Sequence, residues 1–289
     1  MALYKESNNP IIVELSKAEL QSKELGSHNL QIAIEALHED GLVVLKNAAD
    51  PAHLDRLNSR MVPDARKLYN RKETHHNFGN GTGNIQQEPP PDEGYIFEDV
   101  IANPWATQII ECMLGPNPHL RFLSANTAFK AQQRQPAHID VEFDFPRIPF
   151  GFCVNINLVD TSPQNGATEV WLGTHKDATP EMAAGLKREV VEARRKVRPP
   201  IQPSLPKGSV IIRDFRLWHA GMPNKTDDPR VMLVTIQFPA WYRSEQKLVL
   251  RKSLQGKVNW GKLVPCVEWV DDGYDYLQGR HDHSFDLLP

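Results

Sequence analysis

A histidine and an aspartate two residues apart, His138 and Asp140, stand in the apolar and aromatic run AHIDVEFDF (137–145). This run is predicted to be a strand, and residues two apart on a strand point to the same side. The two side chains would therefore converge on one point. A third ligand from a distant strand would complete the two-histidine, one-carboxylate triad that binds non-haem Fe(II) and leaves three positions open. The candidate is His219, which ends the strand-like run GSVIIRDFRLWHA (208–220).

The His-x-Asp pattern by itself has little specificity, because it occurs three more times in this chain, at His38 and Asp40, His53 and Asp55, and His175 and Asp177. Those three pairs fall at a helix end, in the first turn of a helix and in a turn, where two side chains would not point together into a core. The pair at His138 is the one in a predicted strand. A histidine packed in the core, with no metal, remains an open alternative for it.

A second signal is Arg230, which lies eleven residues after His219 and opens the predicted strand PRVMLVTIQFPAW (229–241). An arginine binds a carboxylate through two parallel hydrogen bonds, a geometry that lysine does not match. Arg230 could therefore bind the far end of a dicarboxylate co-substrate. The alternative is a solvated charge at the start of a strand.

These residues need a scaffold, and the signals for helices and strands predict one. Four helices are predicted from capping residues and proline: from Ser27 to about Glu39 before Gly41, from Asp50 and Pro51 to about Tyr69, from Asn103 and Pro104 over WATQIIECML, and from Thr179 and Pro180 to near Pro199. Strands are predicted at 41–47, 119–131, 137–145, 150–160, 167–174, 208–220 and 229–241. Segment 73–93, rich in Gly, Asn and Pro, is predicted to be a long loop.

This order of elements predicts a mainly β fold with flanking helices, a double-stranded β-helix (jelly roll, cupin-like). We expect one domain over residues 1–289. It would comprise a helical N-terminal part at about 27–114, the jelly-roll core at about 119–242 and a C-terminal extension at about 243–289. The extension could pack on a partner or fold back over the active site.

Composition excludes several classes of protein. The chain has 289 residues, 33 basic against 36 acidic, and no long basic run, so we expect no nucleic-acid partner. No apolar stretch is long enough to span a membrane, and no secretion signal is recognised. Three scattered cysteines predict neither a disulfide framework nor a zinc finger. We expect a cytoplasmic protein with a small-molecule substrate; a monomer and a homodimer both remain open.

The segments QRQPAHID, QNGATEVWLGTHK and GSVIIRDFRLWHAGMPNKTDDPRVML resemble the phytanoyl-CoA dioxygenase-like family of Fe(II)/2-oxoglutarate oxygenases. The resemblance covers roughly residues 30 to 242. It implies iron ligands at His138, Asp140 and His219, and contacts to the 2-oxoglutarate co-substrate at Gln135, Thr168 and Arg230. The expected cofactors are Fe(II), 2-oxoglutarate and O2.

The resemblance also implies the type of reaction, which is oxidation of an unactivated C–H bond by hydroxylation, desaturation or epoxidation. Related halogenases lack the carboxylate that Asp140 supplies, so halogenation is disfavoured. The turn LGTHK (172–176) departs from the more usual Pro-Gly-Ser-His, which changes no ligand. The likeness is greater to members that tailor secondary metabolites than to the peroxisomal acyl-CoA hydroxylase.

Four residues are candidates for contact with substrate. Phe143 matches a position that meets substrate in relatives, Val141 shares its face of the predicted strand, and Asn84 and Trp218 could border the cavity mouth. Ordinary packing is an equally good reading of each.

Two other functions remain open: a non-oxidative cupin-type metalloenzyme, which would need no arginine for a co-substrate, and a jelly-roll binding protein with a vestigial site.

Overall fold

The computed structural model describes residues 8–282, and within this range there are six α-helices and twelve β-strands. The helices are α1 (Lys17–Ser22), α2 (Ser27–Asp40), α3 (Pro51–Tyr69), α4 (Glu98–Ile101), α5 (Pro104–Leu114) and α6 (Arg188–Val197). The strands are β1 (Ile12–Glu14), β2 (Leu42–Lys46), β3 (Asn84–Gln87), β4 (His119–Ala128), β5 (Phe152–Asn157), β6 (Glu169–Val170), β7 (Val210–Asp214), β8 (His219–Ala220), β9 (Arg230–Phe238), β10 (Leu248–Arg251), β11 (Val264–Pro265) and β12 (Val267–Val270).

A large sheet of eight strands carries the fold. Its order is β1-β2-β7-β5-β9-β4-β11, with β3 paired to β4, and its central pairs are antiparallel. A much smaller sheet consists of the antiparallel pair β6 and β8, to which single bridges add His138 beside His219 and Ile201 beside Val170. The predicted mainly β architecture with flanking helices is confirmed.

The two faces of the large sheet have different neighbours because successive side chains on a strand alternate in direction. On β9, Val231 and Leu233 join the core cluster formed with the helices. On the same strand Arg230, Met232, Val234 and Ile236 face the opposite way and line a cavity. The helical layer therefore supports the sheet from one side, and the other side is free for a ligand.

Three helices begin or end where the sequence signals predicted. The side chain of Asp50 accepts a hydrogen bond from the Ala52 amide at the start of α3, and Asn103 does the same for Ala106 at the start of α5. Gly41 ends α2 in the left-handed region, at φ 72°, where a glycine avoids the cost of a Cβ. These local signals needed no tertiary context.

Several predicted elements were wrong, among them the strand 208–220, which is divided into β7 and β8 of different sheets. Residues 137–145 form no strand beyond an isolated bridge at His138, because the partner strand β8 is two residues long and offers no further backbone to pair with. The helix predicted from Pro180 to near Pro199 is divided: a 3₁₀ turn at Pro180–Met182 is followed by Gly185 at φ 114°, and α6 begins only at Arg188. The predicted loop 73–93 also contains β3.

The C-terminal extension contributes three short strands. β10 pairs with β12 in parallel, and β11 adds to β4 at the edge of the large sheet. The last part of the predicted extension, residues 283–289, lies outside the described residues. Across residues 8–282, no helix combines the length and the apolar character needed to cross a membrane.

Candidate metal and co-substrate site

His138 and His219 lie side by side across the small sheet. Each donates its backbone N–H to the carbonyl of the other, with both N–O distances at 3.0 Å. Their ring centroids are 4.4 Å apart, and both side chains are buried. A bridge between two distant segments, rather than a regular strand, therefore brings the two imidazoles together.

The orientation of both rings leaves Nε2 free for a metal. Nδ1 of His138 lies 2.9 Å from the carbonyl oxygen of Pro136, and Nδ1 of His219 lies 3.0 Å from that of Leu217. A neutral imidazole that donates from Nδ1 to a carbonyl presents the lone pair of Nε2. Oδ1 of Asp140 is 3.9 Å from Nε2 of His138 and 3.3 Å from Nε2 of His219.

These three ligand atoms lie within 4.8 Å of one another and could hold a metal ion. Burial, followed by the charge of His219, lowers the pKa of His138 to about 3, so this imidazole is neutral near pH 7. Burial would raise the pKa of Asp140, but His219 and Arg213 outweigh it and hold that pKa well below its ordinary value. Two imidazole donors and an ionised carboxylate are a suitable donor set for Fe(II).

Arg213 is a residue of this site that sequence reasoning missed. Its Nη2 donates to Oδ2 of Asp140 at 2.6 Å, and its Nη1 lies 3.2 Å from Nδ1 of His219. The guanidinium is buried on the inner face of β7, opposite Cys153 of β5. The signal was a charged residue inside the apolar strand VIIRD, because a buried charge needs an opposite charge beside it.

A cavity of about 410 Å³ lies against the triad and the inner face of the large sheet. This volume falls within the usual range for small-molecule sites, roughly 300–1,000 Å³. Its wall includes His138, Asp140 and His219 together with the three predicted co-substrate residues, Gln135, Thr168 and Arg230. The structure thus brings all six residues to one cavity.

Arg230 has hydrogen-bonding capacity to spare. Its Nη2 donates to the carbonyl oxygen of Gly166 at 2.7 Å, whereas Nε and Nη1 have no partner among the described residues, although the side chain is buried. Burial lowers the pKa of Arg230 to about 10, so it still carries its charge near pH 7. A buried arginine with two unused donors beside a cavity suits a carboxylate ligand.

Gln135 and Thr168 lie on the same cavity wall. Oε1 of Gln135 accepts a hydrogen bond from the Gly221 amide at 2.7 Å, which fixes the side chain and leaves its NH₂ group for a ligand. Thr168 lies two residues after Gly166, the residue that accepts from Arg230, and its Oγ1 is 4.0 Å from the sulfur of Met232. Both residues are thus placed to contribute to the same pocket as Arg230.

The structure places the four predicted substrate residues away from the cavity wall. Val141 is fully buried in an aromatic cluster, against which Phe143 packs. Asn84 is buried on β3 and donates to the carbonyl oxygen of Thr82, and Trp218 is buried beside Trp171. Because residues 139–145 are not a strand, the two-residue alternation that suggested Val141 and Phe143 does not apply to them.

The outer wall is formed instead by the loop that carries His75, Asn77 and Phe78, all of which line the cavity. The ring of Phe78 is centred 4.6 Å from that of His138, and the side chain is 44% exposed. Its φ of 57° lies in the left-handed region, which is strained for a bulky residue. The signal in the sequence was the Gly- and Asn-rich stretch that follows it.

The C-terminal segment folds back onto this loop, which was one of the two outcomes left open. The His75 amide donates to the Arg280 carbonyl at 2.9 Å, and Nδ1 of His75 lies 3.7 Å from Asp282. His281 is buried and paired with Glu88, which follows β3. Described residues of the extension therefore hold the outer wall of the cavity in place.

The pair of His281 and Glu88 should make stability depend on pH. Burial acts to lower the pKa of His281, but the hydrogen bond and charge of Glu88 outweigh it, so the pKa is raised. The stabilisation is complete below the unfolded value of about 6.5 and disappears as pH rises through the folded value. We expect Glu88→Gln to lose more stability at pH 6 than at pH 9, measured by denaturant titration.

The exposed His28 supplies a control, since His28→Asn should change stability little at either pH. An equal loss for Glu88→Gln at both pH values would mean that the pair contributes no charge-dependent stabilisation.

A jelly-roll cavity that combines a two-histidine, one-carboxylate cluster with a buried, partly unpaired arginine is typical of non-haem iron oxygenases. The profile of the phytanoyl-CoA dioxygenase (PhyH) family matches residues 37–232, more than half of the chain. The chain belongs to this family and is an Fe(II)/2-oxoglutarate-dependent oxygenase. Among the three functions considered from the sequence, the oxygenase is confirmed.

Solved structures with the same fold include two of the epimerase SnoN from nogalamycin biosynthesis. One, described as a non-haem α-ketoglutarate-dependent epimerase, has a TM-score of 0.57 and 19% identity over 74% of this chain and 82% of that chain. The other, in complex with Fe³⁺, α-ketoglutarate and nogalamycin RO, has the same TM-score and the same identity over 74% of this chain and 85% of that chain.

A third is EctD from S. alaskensis with 2-oxoglutarate and 5-hydroxyectoine, with a TM-score of 0.53 and 18% identity over 74% of this chain and 76% of that chain. At these identities the likeness concerns the fold. The predicted jelly roll is confirmed.

Proposed function

We propose that this enzyme oxidises an unactivated C–H bond of a small organic molecule in secondary-metabolite biosynthesis, by hydroxylation, desaturation or epoxidation. The observation that carries the proposal is one cavity that joins the His138, Asp140 and His219 cluster to the unpaired donors of Arg230. The SnoN structures, from nogalamycin biosynthesis, support the metabolic setting, and EctD with 5-hydroxyectoine supports a small substrate.

His138 and His219 would bind iron through Nε2, and Asp140 would bind it through a carboxylate oxygen. The donor set fits, because each Nδ1 can donate to a backbone carbonyl and Asp140 stays ionised. When bound, Fe(II) with 2-oxoglutarate and O2 would supply an oxidant strong enough to attack a C–H bond. The remaining tasks of binding, orientation and water exclusion belong to the protein.

Arg230 would bind the carboxylate of 2-oxoglutarate that is remote from the metal. Nε and Nη1 have no partner among the described residues, so the buried guanidinium keeps unused N–H donors at the cavity. A hydrogen bond from a charged guanidinium to a carboxylate is one of the strong, charge-assisted kind. Gln135 and Thr168, on the same wall, would add neutral hydrogen bonds and so fix the orientation of the co-substrate.

The substrate would enter past Phe78 and the neighbouring residues of its loop. The cavity wall also includes apolar side chains from the large sheet, such as Phe122, Val234 and Ile236, which disfavour water near the reacting carbon. Hydroxylation, desaturation and epoxidation would all act on the part of the substrate that lies nearest the metal. Which of the three reactions occurs would therefore depend on how this wall holds the substrate.

The proposal is tested first by spectroscopy without oxygen. Purified protein is loaded anaerobically with Fe(II), and 2-oxoglutarate is then added. We expect a weak visible charge-transfer band, because a keto acid that chelates Fe(II) would give one. Succinate, which lacks the keto group, is the matched control and should give no band.

A protein that binds Fe(II) but gives no band with 2-oxoglutarate would contradict the proposed site. If the band appears, candidate substrates can be screened by their effect on its position and on its rate of loss after oxygen is admitted.

A further inference from the structure

We propose that Arg213 is a positioning residue: it holds Oδ2 of Asp140, so that this carboxylate binds the metal through Oδ1 alone. The inference rests on the proposed function and adds to it a reason for a buried cation beside a metal site. Arg213 is not offered as a metal ligand or as a contact for the co-substrate.

The two oxygens of Asp140 have different neighbours. Oδ2 accepts from Nη2 of Arg213 at 2.6 Å, whereas Oδ1 faces Nε2 of His219 at 3.3 Å and Nε2 of His138 at 3.9 Å. A metal that binds both imidazoles through Nε2 would therefore meet Oδ1. Turning the carboxylate to present both oxygens would break a short, charge-assisted hydrogen bond.

Arg213 is itself held firmly. It lies on the inner face of β7, where its register partners are Cys153 on β5 and Leu42 on β2. Its Nη2 is 3.5 Å from the sulfur of Cys153. The neighbouring carboxylate, Asp214, does not compete for it, because Asp214 accepts hydrogen bonds from Nε and Nη2 of Arg216.

The consequence concerns the number of free positions on iron. Three single-atom protein ligands would leave three open positions, enough for a chelating keto acid and O2 together. A carboxylate can also bind a metal through both oxygens. If Asp140 did so, it would take a fourth position, and the third open position would be lost.

Charge makes the inference distinct from a simple structural role. A cation beside a divalent metal opposes metal binding, so the presence of Arg213 is not explained by metal affinity. Replacing it with an apolar residue removes this repulsion and frees the second oxygen of Asp140. Metal binding should then be unchanged or tighter, while the reaction with oxygen becomes slower.

The test compares Arg213→Met with the wild-type enzyme, both loaded with Fe(II) and 2-oxoglutarate. We expect the Fe(II) dissociation constant to be equal or lower in the variant. We also expect loss of the charge-transfer band after oxygen is admitted to slow by about tenfold or more, a barrier increase of roughly 1.4 kcal/mol or more. A weaker Fe(II) affinity, or a wild-type rate of band loss, would overturn the inference.

Arg216→Met is the matched control, because it removes a second buried arginine from an ion pair that does not touch the triad. It should lower stability and leave both readouts unchanged. Arg213→Lys, which can still donate to Oδ2, should retain the rate to within about threefold. If Arg213→Met does not fold, a rate loss of about tenfold in the folded lysine variant equally overturns the inference.

Failure of the proposed function would look different, since the wild-type enzyme itself would then give no band. A wild-type band together with an unaltered Arg213→Met reaction would reject the role of Arg213 and leave the proposed function in place.

Discussion

Arg230→Met should weaken 2-oxoglutarate binding strongly and leave Fe(II) binding nearly intact. Removing one partner of a buried, charged hydrogen-bonded pair costs about 2–5 kcal/mol, which corresponds to roughly 30-fold to 4,000-fold in affinity. Methionine keeps much of the side-chain volume but has no donor. The measurement is an anaerobic titration of the charge-transfer band with 2-oxoglutarate, next to a separate titration with Fe(II).

Stability gives a second readout for the same variant. Without a ligand, wild-type Arg230 keeps a buried charge whose Nε and Nη1 have no partner among residues 8–282. Replacing buried charges with apolar side chains is often neutral or stabilising by about 1–4 kcal/mol. We therefore expect the melting temperature of the ligand-free variant to be unchanged or higher, and 2-oxoglutarate to raise it much less than in wild type.

Arg230→Lys is the informative companion variant, because it keeps the charge but loses the planar, multi-donor guanidinium. Its affinity for 2-oxoglutarate should fall between those of wild type and Arg230→Met. Equal affinity for 2-oxoglutarate in all three proteins would remove Arg230 from the co-substrate site. A parallel loss of Fe(II) affinity would show instead that the substitution disturbs the whole cavity.

Asp140→Asn should abolish useful Fe(II) binding and also destabilise the metal-free protein. The amide is nearly isosteric, but it removes the anionic ligand, so we expect affinity to fall by at least about a hundredfold. It also leaves the buried cation of Arg213 without its counter-charge, and breaking a buried ion pair in this way costs up to about 3–5 kcal/mol. Calorimetric titration with Fe(II) and denaturant unfolding measure the two effects separately.

The double variant Asp140→Asn with Arg213→Met distinguishes a lost ligand from a damaged fold. Removing both charges should restore much of the stability, because no uncompensated ion remains in the core, but it should not restore metal binding. Recovery of Fe(II) affinity in the double variant would mean that Asp140 is not a ligand and acts only as the counter-charge of Arg213.

The residues of the triad could be singled out from sequence, although the element assumed for two of them was wrong. His138 and Asp140 were expected to converge because they were placed on one strand. The structure brings the triad together differently: the backbone of His138 pairs with that of His219, and the bend at Asp140 follows. The strand argument then failed for Val141 and Phe143, which point into an aromatic cluster.

Arg213 and Phe78 show why other site residues stayed hidden. The role of Arg213 depends on Asp140, which is distant in the sequence and reaches it only when the small sheet lies over the inner face of the large sheet. Phe78 stands in a loop without periodicity, and it borders the cavity because hydrogen bonds within the loop and from the C-terminal segment hold it there.

The sequence by itself determined the elements whose signals are local: α2, α3 and α5 with their caps, the alternating strands β5 and β9, and the order of ligand-type residues along the chain. Capping and alternation act between residues near one another in the chain, so they can be read without the fold. The tertiary structure alone decided which side chains share the cavity, which carboxylate oxygen is free and which loop forms the outer wall. Those outcomes depend on contacts between segments far apart in the chain, and no local pattern encodes their distances.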